Sequence, residues 1–244
     1  MKPESAEYGG KASVALDAVG RDLRAPRAAG IAGLAFAVLF MGSLLLLRSQ
    51  PYAGSTSAEI KSWYLDRGDT VAIVGLYLTP FAGIAFLWFI AVIRNRIGER
   101  EDQFFATVFL GSGLLFVAML FAAAAAAGAP LIAVKFQDAP VPSPDAVVLS
   151  RGLAYTFLYV YGVRAAAVFM IVVSTIALQT RTLPRWLVTA GFAIALVLLV
   201  GVSFFNLLVL LFPLWVAAVS IVILATARVP HTTREPAAVS ERLG

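Results

Sequence analysis

The 244 residues are 60% hydrophobic and only 14% charged, against roughly 25% charged in ordinary soluble domains, and the apolar residues come in long uninterrupted runs that no single soluble core would take in. The formal charge of +5 and the pI near 9.7 come from bases that flank those runs; they read as topology signals, and a nucleic-acid partner is not expected. The lack of cysteine excludes disulfides, thiolate metal sites and thiol nucleophiles.

The first 26 residues are polar, with Glu4, Glu7, Asp17 and Asp22 and no apolar core ahead of a cleavage site. A cleaved signal peptide is therefore not expected, and residues 1–27 form a polar tail. The apolar run 28–47 predicts a first membrane span, since a hydrocarbon core of about 30 Å needs roughly 20 apolar residues. In the loop that follows, Thr56-x-x-Glu59 has the capping-box pattern and precedes Ile60, Trp63, Tyr64 and Leu65. It predicts a short amphipathic helix lying on the outer membrane surface.

Spans two and three are expected at 70–93 and 105–127, joined by the mixed-charge turn Arg94 to Asp102. Pro140, Pro142 and Pro144 force the next loop into an extended path. Ser143-Pro144-Asp145 then reads as a helix start ahead of span four at 152–179, with Pro in the first turn. From Trp186 onward nearly 40 mostly apolar residues would make one helix of about 58 Å, far beyond a single crossing. Ser203-Phe204-Phe205-Asn206 is the credible turn, giving spans at 186–202 and 207–226, and residues 227–244 form a second polar tail.

Thirteen of the nineteen Lys and Arg fall on one side of this arrangement and five on the other, with Arg164 alone inside a span. The excess places both termini in the cytoplasm. The expected fold is thus all-α, a polytopic transmembrane bundle of six spans over residues 28–226, N-in and C-in. Short links make spans two and three, four and five, and five and six antiparallel neighbours. Small residues at helical spacing, such as Gly30, Gly33 and Ala37, or Gly191 and Ala195, suit close helix contact. Pro80 and Pro213 should kink spans two and six, and Trp63, Tyr64, Trp88 and Trp186 fit interfacial belts.

The stretch Leu78-Thr79-Pro80-Phe81-Ala82-Gly83-Ile84-Ala85-Phe86-Leu87-Trp88-Phe89-Ile90, with the charged turn and then Phe104-Phe105-Ala106-Thr107-Val108-Phe109-Leu110-Gly111-Ser112-Gly113, resembles a group of actinobacterial six-helix integral membrane proteins. The resemblance is confined to about residues 78–120. It implies a bacterial setting and no activity. The preference for Arg and Ala over Lys also points to a GC-rich bacterial source, and so to the plasma membrane.

Chemistry is sparse. All fourteen carboxylates lie outside the spans, and the single histidine, His231, lies in the C-terminal tail. No titratable carboxylate for proton coupling, no metal site and no Ser-His pair is expected at depth; nor is a phosphate loop. No catalytic residue and no cofactor are assigned, and the chain is not expected to be an enzyme.

The expected function is that of a non-catalytic accessory or lipid-binding membrane component. Its partners would be the bilayer and a membrane protein or a second copy of the chain. The alternative is a transporter or channel for a small or lipid-like, anionic solute. The residues that bear on both are Arg164, Tyr161 and Phe157, which share a helix face. Arg164 is seventeen residues from Arg181, about 25 Å along a helix. It then either snorkels from the outer edge of the core or turns inward to bind an anion flanked by Tyr161.

Overall fold

The computed structural model describes residues 28–51, 54–97, 103–201 and 207–226, apart from positions 29, 47, 49 and 67. All regular structure among them is helical: α1 (Gly30–Leu46), α2 (Ser57–Asp66), α3 (Gly68–Ile97), α4 (Gln103–Phe136), α5 (Pro144–Tyr155), α6 (Val163–Thr180), α7 (Arg185–Val200) and α8 (Leu211–Thr226). A π-helical segment, Thr156–Gly162, joins α5 to α6, so that Pro144–Thr180 is one rod of 37 residues. The two tails and the Ser203 to Asn206 turn lie outside the described residues, as does most of the charged turn after Arg94.

Four stretches are long and apolar enough to cross a bilayer: Tyr77–Arg94 in α3, Phe104–Phe136, Pro144–Thr180 and Leu208–Thr226. Helices α1 and α7 are apolar but shorter; the 16 residues of α7 make about 24 Å. The surface is as apolar as the interior. Val38, Phe81, Trp88, Leu196 and Ile221 are all more than half exposed, an apolar exterior of the kind that helices present to lipid.

Local signals set the helix ends. At α2 the capping box forms: Thr56 N–H donates to Glu59 Oε2 at 2.7 Å, and Glu59 N–H donates to Thr56 Oγ1 at 3.3 Å. Ser143 caps α5 by accepting from Ala146 N–H at 3.3 Å, with Pro144 at the first position. Arg181 ends α6 in the left-handed conformation, φ 53°, and Pro184 starts α7. Helix α7 stops at Gly201, whose ψ of 121° leaves the helical region. The break in the last apolar run therefore falls between Val200 and Leu207.

Three expectations are adjusted. Helix α4 continues through Pro130 to Phe136, beyond the expected end of span three at residue 127, and the apolar stretch runs with it. Pro213 is the third residue of α8, just after a 3-10 turn at Leu208–Leu210; in the first α-helical turn its missing N–H is tolerated. Helix α2 does not lie free with its apolar face toward lipid. Ile60 and Tyr64, 1% and 5% exposed, pack on Leu131 of α4 and Val147 of α5 as a separate small core. Burial also holds the Tyr64 phenol above its ordinary pKa.

Eight phenylalanines fill the point where five helices converge. Phe36 and Phe40 come from α1, Phe86 and Phe89 from α3, Phe109 and Phe116 from α4, Phe169 from α6 and Phe212 from α8, and all are fully buried. Phe86 touches five other rings, with centroids 4.7 Å from Phe36, 5.2 Å from Phe116 and Phe169, 5.5 Å from Phe212 and 6.1 Å from Phe89. These separations are those of favourable edge and offset ring pairs. Small residues make the approach possible: a Cβ on Gly33 would collide with Ser220 Oγ of α8 and with the Phe89 ring.

Candidate functional site

Helix α4 and the α5–α6 rod run antiparallel, with Met119 beside Gly162 and Gly113 beside Phe169. Between them lies a groove of about 640 Å³, open along one side of the bundle. Volumes of this size are typical of small-molecule sites. One wall is Val108, Gly111, Ser112, Leu115 and Met119; the other is Phe157, Tyr161, Arg164, Ala165 and Val168. The structure thus brings all three residues singled out from sequence to one wall of one groove. Arg164 faces this lateral groove; it does not point into the aromatic centre.

Two local features make the groove. Gly111 has nothing within 4 Å of where a Cβ would stand, so the missing side chain leaves open space, and Gly111 does not take part in helix contact. Toward the other end of the groove, the rod is π-helical from Thr156 to Gly162, and Val163 N–H donates to Leu158 O, five residues back. Such segments insert a residue into a helix and recur at functional sites. Phe157 and Tyr161 of this segment line the groove, while Tyr155 and Tyr159 stack on each other at 4.6 Å and 10°.

Arg164 is half-buried, and its Nη1 donates to Val160 O at 2.7 Å. The guanidinium therefore folds back along its own helix, the direction in which helical side chains lean. No carboxylate lines the groove. Tyr161 is 55% exposed. Ser112 donates its proton to Val108 O at 2.7 Å.

Most other hydroxyls at depth among the described residues are similarly engaged. Thr156, Thr175 and Ser220 each donate to the carbonyl four residues back, at 2.9, 2.8 and 2.7 Å. Thr79 donates to Ser43 Oγ at 3.3 Å. Ser174 is fully buried and has no hydrogen-bond partner among the described residues.

A second polar group ties α1 to the α5–α6 rod. Arg151 Nη1 donates to Gln50 O at 3.2 Å, and Tyr159 accepts a hydrogen bond from the Arg48 side chain. Sequence reasoning placed Arg48 and Arg151 in separate outer loops and gave no reason to join them; a π-helical segment has no reliable sequence signal. Among the described residues there is no cluster of three or more His, Asp or Glu able to hold a metal ion.

The fold and groove together define a class: an all-helical bundle with apolar helices of membrane-spanning length and a lateral cleft carrying one guanidinium. No protein-family model, curated protein or solved structure matches the chain.

Proposed function

We propose that this chain is a six-span protein of the bacterial plasma membrane with both termini in the cytoplasm. Its function is non-catalytic, binding lipid or a membrane-protein partner through its lipid-facing sides. The observation that carries this reading is the contrast between a bundle centre packed with eight buried phenylalanines and an open groove on its flank. A carrier needs a polar path between helices, and most hydroxyls at depth among the described residues are bonded to carbonyls of their own helices. The thirteen-to-five distribution of Lys and Arg supports the orientation. The alternative, a transporter of a lipid-like anion, is favoured by Arg164 alone.

The chain has no cysteine, so single cysteines report topology cleanly. A cysteine at Ser55 should react with an impermeant thiol reagent in intact cells, and cysteines at Gln103 and Ser240 should react only after permeabilisation. Labelling of Ser240 from outside overturns the six-span arrangement. Purification in mild detergent should yield either bound lipid or a stoichiometric membrane partner. A homo-oligomer enclosing a water-filled cavity would overturn the non-transport reading.

A further inference from the structure

We infer that the groove between α4 and the α5–α6 rod binds an anionic phospholipid, with the phosphate on Arg164 and one acyl chain along Val108, Leu115 and Met119. This rests on the membrane reading above and names the ligand class of that flank. Three observations lead to it. The groove holds about 640 Å³ and its walls are almost wholly apolar, so a free inorganic anion would leave most of it unfilled. An acyl chain supplies the missing contact at no cost in buried polar groups.

The second observation is charge. Among the described residues, Arg164 is the one cationic side chain on either wall. A guanidinium carries five N–H donors in a planar fork, and among the described residues one is engaged, by Val160 O at 2.7 Å. The remaining fork matches two phosphate oxygens, which is the recognition Arg makes best. The third is the absence of a carboxylate on the groove walls. A zwitterionic headgroup would bring an ammonium with no carboxylate among the described lining residues to pair it, whereas an anionic headgroup brings only the phosphate that Arg164 pairs. Tyr161, half-exposed one turn away, flanks the headgroup.

The test uses the full chain purified from bilayers of equal phosphatidylglycerol and phosphatidylcholine, with retained lipid read by native mass spectrometry. Wild type should keep phosphatidylglycerol in preference to phosphatidylcholine. Arg164→Leu should reduce that preference by about tenfold or more, the scale of a hydrogen bond to a charged group, and Arg164→Lys should restore part of it. Gly111→Phe, which fills open space without touching the charge, should lower retention of both lipids and answers the question if Arg164→Leu fails to fold. Equal retention of the two lipids by wild type overturns the proposal, as does an unchanged preference in a folded Arg164→Leu. Thermal protection by inorganic phosphate as large as that by phosphatidylglycerol also overturns it, since the acyl chain would then contribute nothing. The cysteine-labelling pattern is read separately, so a wrong topology and a wrong ligand give different failures.

Discussion

The aromatic centre and the lateral groove lie on the same helices and solve opposite problems. At the centre, α1, α3, α4, α6 and α8 each bring phenylalanine to one point, and Phe86 meets five other rings. On the same stretch of α4, between Phe109 and Phe116 in sequence, Gly111 faces open space. Packing in lipid is driven by van der Waals contact and by small residues that let helices approach. The centre uses every such contact available. The groove forgoes them along one side of two helices and places a guanidinium there. Stability should therefore reside in the first region and ligand chemistry in the second, and substitutions should separate the two.

The largest effect is expected at the centre. Phe86→Ala removes a ring that touches five others, and truncation of a buried Phe costs about 3–5 kcal/mol. Reversible unfolding in mixed micelles should show the loss, and lipid retention in the fraction that stays folded should be unchanged. A loss near zero would mean that the rings fill space without holding the helices together.

Glycine sharpens the same contrast. Gly33→Leu places a side chain where Ser220 Oγ and the Phe89 ring already stand, and overpacking of this kind costs about 1–3 kcal/mol. The Cβ of Gly111→Leu meets nothing within 4 Å, its side chain enters the open groove, and the unfolding midpoint should be unchanged. Comparable destabilisation by both variants would show that the groove is closed in the folded protein and that the comparison fails.

Much of the fold was legible because the signals are local. The capping box at Thr56 and Glu59, the Ser143-Pro144 start and the apolar runs each depend on a few neighbouring residues, and each marks a helix or a helix end. The shared face of Phe157, Tyr161 and Arg164 followed from helical spacing. What the sequence left open depends on partners far along the chain. Whether Arg164 faced lipid, the centre or a groove turned on Gly111 and Met119 of another helix. The docking of Tyr64 turned on Leu131 and Val147. The π-helical segment carries both Tyr159, which meets Arg48, and Tyr161, which lines the groove, and no periodicity in the sequence announces it.

Helix α2 lies outside both regions and gives the smaller effects. Thr56→Ala removes the N-cap and should cost the local docking of α2 about 1 kcal/mol, read as faster amide exchange at Ile60 with no change in global unfolding. Unchanged exchange at Ile60 would mean that packing alone holds the helix.

The pH dependence of the same contact is the finest test. Glu59 accepts from the Thr56 backbone N–H at 2.7 Å and from the Thr56 hydroxyl at 3.0 Å, and the backbone bond first, then the hydroxyl, hold its carboxyl below the ordinary value. A depressed carboxyl pKa means that the folded cap prefers the ionised form. Its contribution is fully present above the unfolded pKa, near about 4.3 for Glu, and is lost as pH falls through the lower folded value. A nitroxide on a cysteine at Lys61, which is exposed, should therefore report unchanged mobility from neutral pH down to that range and increasing mobility below it. Glu59→Gln cannot ionise and should give a flat profile over the same window. If the wild-type and Glu59→Gln profiles superimpose, the carboxylate does not hold the end of α2, and the burial of Ile60 and Tyr64 accounts for its position unaided.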